Sequence, residues 1–151
     1  MDLQQIQEQF NKDSKIDETN ISFEETRSPA LLNKYLKLHN NYKLMLSKAE
    51  SDMKILKREK WMFYTGKSER PFELKILKND VSTFIDADEE MIKLSSKIDY
   101  LKQVVGYLEH IIKNLHNRGF QLRNITTWIK YTEGAIWDIG QKMCQKIWQK
   151  V

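Results

Sequence analysis

Between Met91 and Leu115 the chain obeys one rule. Met91, Leu94, Ile98, Leu101, Val105, Leu108, Ile112 and Leu115 follow one another at alternating steps of three and four. On a helix that spacing gathers every apolar side chain onto one narrow stripe, and a second helix lying alongside is what covers such a stripe. Val104, Tyr107 and Ile111 widen it, so contact with more than one neighbour is expected.

The complementary seam lies upstream. Leu31, Tyr35, Leu38, Tyr42, Met45 and Ala49 recur at steps of four and three. Ser28-Pro29 reads as the start of this helix, a side-chain cap followed by a proline in the first turn. The rhythm loosens at Asp52 and Met53, resumes at Leu56 and ends near Gly66. A helix over 28–65 would be about 55 Å long, more than a compact globule of this size holds, so a kink near residue 52 or an elongated assembly is expected. Few glycines (5) and prolines (2) among 151 residues, 30% of them charged, agree with long helices in a single domain. The fold class is therefore mainly α, with long antiparallel helices and coiled-coil-like seams.

Residues 2–12 form a thin amphipathic helix with Leu3, Ile6 and Phe10 on one side, which needs a partner in this chain or another. Residues 13–27 are polar and irregular, with Ile21 and Phe23 alternating as in an extended piece. Phe72, Leu74 and Ile76 predict a short β segment over 72–77. Asp86-Ala-Asp-Glu89 has the form of a capping box, which accounts for its carboxylates without a metal or an acid–base pair. Asn117-Arg-Gly119 is expected to close the long seam, with Gly119 in a left-handed turn. A last helical element then runs from Phe120 through Ile125, Trp128, Ile129, Ile136, Trp137, Met143, Ile147 and Trp148, divided by Gly134 and Gly140. With no later element to cover them, its tryptophans should be buried against another part of the molecule or another subunit; self-association, through Ile125, Trp128, Ile129, Ile136, Trp137, Ile147 and Trp148, is the favoured reading. The chain divides into a helical domain, 1–134, and an extension, 135–151.

Charge is unevenly distributed. Residues 1–26 hold seven acids against two lysines, a net of −5, which leaves 23 bases and 14 acids, a net of +9, for the rest. An acidic leader on a basic body fits a nucleic-acid binder with a partner-facing arm. The bases concentrate at Lys54, Lys57, Arg58, Lys60 and Lys67, interleaved with Trp61, Phe63 and Tyr64. Cations to meet phosphates and rings to stack on bases suit a single strand, although a basic helix end with core rings has the same composition.

Catalytic signals are missing. Thr65-Gly66-Lys67-Ser68 resembles the end of a phosphate-binding loop, but Trp61 stands where that loop needs glycine, and no strand precedes it. His39, His110 and His116 are isolated, and Cys144, the single cysteine, has no ligand-like neighbour. No enzyme, metal or cofactor is expected. The lone cysteine points to a reducing cytoplasm, and no apolar run is long enough to span a bilayer or form a signal peptide.

Four segments, in one order, resemble the UvsY family of phage recombination mediators. They are Glu25-Thr-Arg-Ser-Pro-Ala-Leu-Leu-Asn-Lys-Tyr-Leu-Lys-Leu-His39, Glu59-Lys-Trp-Met-Phe-Tyr-Thr-Gly-Lys67, the acids after Ala87, and Asn117-Arg-Gly-Phe120 with Gln121 to Asn124. The similarity spans roughly residues 14–134. It implies a non-enzymatic, ring-shaped homo-oligomer, expected to be a heptamer, in the cytoplasm of the infected bacterial host. Its partners would be single-stranded DNA, a single-strand-binding protein that it destabilises, and a RecA-like recombinase (UvsX) whose loading it promotes. The family's DNA contacts fall here on Arg58 and Lys60. Lys57 and Lys54 join them on charge, and Trp61, Tyr64 and Lys67 on their place in the same stretch. The tail after Gly134 departs from the family pattern. A rival reading is a coiled-coil assembly or scaffold protein that binds no DNA.

Overall fold

A computed structural model describes residues 1–69, 72, 73, 77 and 79–134. Among the described residues there are four helices: α1 (Leu3–Asp13), α2 (Ile21–Tyr64), α3 (Val81–Asp86) and α4 (Glu89–Thr132). No strand occurs among the described residues. Of the expected β segment over 72–77, Leu74, Lys75 and Ile76 fall outside them. None of the described helices is long and apolar enough to cross a membrane.

The chain forms two compact units, one from Met1–Tyr35 with Ile111–Val151, the other from Leu36–His110. In the second unit, His39 meets Glu109 at 3.5 Å, while Lys60 meets Asp88 and Glu90 at 3.0 and 2.7 Å. Rising numbers on one helix thus pair with falling numbers on the other, so α2 and α4 are antiparallel there. Buried Tyr42 and Ala49 come from α2, and Met91, Ile98, Leu101, Val104, Val105 and Leu108 from α4. The seams predict this core closely, with one correction in α2: Met45 is half exposed, and Leu46 sits deeper. Val81 and Ile85 of α3 close the end of the unit with Met91, packed by Met53, Leu56 and Tyr64.

In the first unit α1 finds its partner within the chain. Ile6 is fully buried, and the Phe10 ring meets Tyr35 edge-on at 5.6 Å. Asp2 caps α1 through a reciprocal capping box with Gln5. Asp13 at its end is paired with Lys34 and Arg27 and accepts a hydrogen bond from Tyr35. Burial pushes the Asp13 carboxyl up, but the Lys34 and Tyr35 hydrogen bonds outweigh it and hold it below its ordinary range.

Three boundaries differ from the sequence reading. Helix α2 starts at Ile21, not at Ser28, because Asn20 caps it: the Phe23 N–H donates to Asn20 Oδ1 at 3.2 Å. Ile21 and Phe23 are therefore helical, and Pro29 lies inside the helix. An interior proline costs about 3 kcal/mol. The added turns carry Glu24, which forms a buried ion pair with Arg118, 2.6 Å apart. The helix also runs unbroken past residue 52.

Helix α4 likewise passes through Gly119 to Thr132, and positive φ is found instead at Gly134. The buried stripe continues across the glycine as Ile111, Leu115, Arg118 and Leu122. Arg118 also donates to the Ser14 and Lys15 carbonyls at 2.9 and 3.3 Å, so one guanidinium fixes the α1–α2 connection.

At the other end of α4 the cap is Asp88, not Asp86. Asp86 ends α3, whereas Asp88 Oδ1 accepts the Glu90 N–H at 3.0 Å.

Candidate nucleic-acid interface

The basic–aromatic stretch occupies the last turns of α2. Helix geometry sorts it into two faces, since residues 54, 57, 58 and 61 share one side while 60 and 64 share another. The chain then reverses at Gly66, whose φ of +76° only glycine adopts cheaply. The Gly66 and Lys67 N–H groups donate back to Phe63 and Met62 at 3.3 and 2.9 Å, which closes the helix end. That reversal brings the Lys67 ammonium over the Trp61 ring, 4.4 Å from its centroid.

The inner face is committed to the fold. Lys60 is clamped between Asp88 and Glu90, and Tyr64 donates its hydroxyl to Asp88 at 3.0 Å. Burial pushes the Lys60 ammonium down, but its two carboxylate partners outweigh that and raise it above its ordinary value. Burial also raises the Asp88 carboxyl, and hydrogen bonds from Lys60, Tyr64 and the Glu90 backbone reverse the balance and lower it. The Tyr64 ring lies in a cluster with Phe63, Phe72 and Phe84, at centroid distances between 5.1 and 6.2 Å.

The outer face is open. Lys54, Lys57, Arg58 and Trp61 line a shallow groove of about 380 Å³ floored by Ile85 of α3. Trp61 is 44% exposed, and none of the three cations has an ion-pair partner among the described residues. The expected binding set is thus divided. Lys54, Lys57, Arg58 and Trp61 converge with Lys67 beside them, while Lys60 and Tyr64 point to the acids that begin α4. Asp88, which joins cap and clamp, was missed as an organising residue. The acidic run after Ala87 was its only signal.

The expected self-association set divides as well. Ile125 and Ile129 are half-buried on the side of α4 that carries Arg118 and Leu122, whereas Trp128 faces outward and is 66% exposed. Ile136, Trp137, Ile147 and Trp148 lie outside the described residues. Among the described residues no group of three or more His, Cys, Asp or Glu could hold a metal ion.

The family model described as "Recombination, repair and ssDNA binding protein UvsY" matches residues 9–135. The chain belongs to the UvsY family. That family comprises recombination proteins rather than enzymes. The recombination protein uvsY of Enterobacteria phage T4 is 24% identical over 127 residues, covering 83% of this chain and 93% of its own. Two crystal structures of the bacteriophage T4 recombination mediator protein UvsY share the fold. One superimposes with a TM-score of 0.81 at 22% identity, over 89% of this chain and 99% of that one. The other gives 0.80 at 21% identity, over 87% and 99%. This chain therefore has the UvsY fold, mainly helical among the described residues.

Proposed function

We propose that this protein is a phage recombination mediator that binds single-stranded DNA without sequence preference. The observation that carries this reading is the outer face of α2, where three cations without an ion-pair partner among the described residues share one groove with an exposed indole. Lys54, Lys57 and Arg58 meet phosphates, which carry no base information, while Trp61 offers a stacking surface to any base. Lys67 lies over that surface and moves to a phosphate when a base arrives. Lys60 and Tyr64 hold the groove's back wall and act on DNA only through it.

Each groove is a weak site. A ring-shaped homo-oligomer, a heptamer in this reading, repeats it around the particle so that modest contacts add up to tight attachment. Ile125 and Ile129, with Ile136, Trp137, Ile147 and Trp148 of the tail, help hold the copies together. Bending the strand around such a particle loosens a single-strand-binding protein and presents the DNA to the RecA-like recombinase UvsX, in the cytoplasm of the infected bacterium.

Fluorescence anisotropy with a labelled oligonucleotide, repeated across salt concentrations, tests the groove. Lys57→Glu with Arg58→Glu should weaken binding and flatten the salt dependence, by about 0.7 in log–log slope per lost phosphate contact. Unchanged affinity and slope would remove this site and leave a helical scaffold protein.

A further inference from the structure

The side chains that line the groove on α2 are cations, an indole and an isoleucine. The residue that ties its wall to its floor is an acid. The wall is the end of α2, and the floor is Ile85 of α3, which is buried. Met53, Leu56 and Tyr64 pack the two elements together. Apolar contact of this kind is non-directional, so it holds the helices close without fixing how α2 is turned about its axis.

Directed bonds fix that angle, and they converge on Asp88. Its Oδ2 meets the Lys60 ammonium at 3.0 Å and accepts the Tyr64 hydroxyl at 3.0 Å, from two residues one turn apart on α2. Its backbone N–H donates to the Ile85 carbonyl at 3.1 Å, which joins the same residue to the groove floor. Lys60 and Tyr64 lie about a quarter turn around the helix from the line of Lys54, Arg58 and Trp61. Holding the first pair therefore aims the second set. The Asp88 and Lys60 side chains are 11% and 19% exposed, so water and salt screen the pair only in part.

We propose that Asp88 is a positioning residue for single-strand binding, a carboxylate that raises affinity for a polyanion by holding Lys60 and Tyr64 and so aiming Arg58 and Trp61 over Ile85. The inference rests on the reading that the groove on α2 binds single strands. A site already held in its bound geometry binds more tightly than one that must be ordered on arrival. Charge alone predicts the opposite sign. Removing an acid from the neighbourhood of the groove makes it more positive, and frees Lys60 to meet a phosphate.

The test uses the full chain and an oligo-thymidine, comparing Asp88→Asn and Tyr64→Phe with wild type. Asparagine keeps the cap, because its amide oxygen accepts the Glu90 N–H, but it gives up the charge that holds Lys60. Tyr64→Phe keeps the ring and every charge and removes one bond to Asp88. Affinity is read by anisotropy and particle mass by light scattering. Asp88→Asn should bind at least about threefold more weakly, and Tyr64→Phe about twofold, at unchanged mass. Quenching of Trp61 by saturating oligonucleotide, taken as the difference between each chain and its Trp61→Phe counterpart, should shrink in Asp88→Asn. Equal or tighter binding by Asp88→Asn overturns the proposal, as does undiminished Trp61 quenching or a fall in particle mass. Where Asp88→Asn does not melt cooperatively, Tyr64→Phe decides, and undiminished affinity there overturns it too. If wild type fails to bind the oligonucleotide, the function proposed above fails with it. If Lys57→Glu/Arg58→Glu loses affinity while Asp88→Asn and Tyr64→Phe keep it, only the positioning role is lost.

Discussion

Arg118 stands where the seam of α4 elsewhere takes an apolar side chain. Its charge is tolerable because Glu24 faces it at 2.6 Å and two backbone carbonyls take further N–H groups. Truncation leaves Glu24 buried with only the longer Arg27 contact, 3.6 Å away. Breaking a buried pair in this way costs about 3–5 kcal/mol, so Arg118→Ala should lower the urea midpoint sharply. Arg118→Lys should recover little, because an ammonium does not present the planar fork that reaches three acceptors. In sequence this residue was legible only in hindsight. Ile111, Leu115 and Leu122 keep the seam's spacing, but a charged side chain next to Gly119 reads as an ending. Trp61 was easier to place, since its neighbours at helical spacing are cations.

Among the helices, Asp88 decides how α4 begins. It caps the helix while binding Lys60 and Tyr64 from the end of α2. Asp88→Ala should cost about 2 kcal/mol, from the lost cap and the lost tyrosine hydrogen bond, and a thermal melt reads it directly. The acid dependence follows from Asp13 and Asp88, both held below their ordinary values. A carboxyl lowered on folding stabilises the native state above its unfolded pKa, and the gain disappears as pH falls through the folded value. Stability should therefore be flat from about pH 7 to 5 and decline below about pH 4, with a shallower decline in Asp88→Asn. Lys60, raised on folding, contributes below its unfolded pKa and loses that contribution only in strong alkali. The seams were plain in the sequence because apolar periodicity is redundant over many turns, whereas the short α3 was not read and α4 was divided at Gly119. Caps rest on one or two residues, so Asp86 was mistaken for Asp88, and Ser28-Pro29 concealed the true start at Asn20.

For the molecule as a whole, the proposed function has weak grooves act through repetition in a ring. Removing residues 135–151 should reduce the particle mass in size-exclusion light scattering. It should lower affinity for long oligonucleotides far more than for short ones, since only long strands engage several copies. A truncated chain of unchanged mass would place the contacts between copies elsewhere.

The two units also differ in how they are threaded. One is a continuous stretch, Leu36–His110, and the other joins the two ends of the chain. On a ribosome the continuous hairpin can close as soon as its last turn emerges, whereas Glu24 must wait for a guanidinium translated 94 residues later. During that interval α1 and the start of α2 have only half of their unit. Translation order thus leaves the amino-terminal segment without its buried partner until Arg118 has been made.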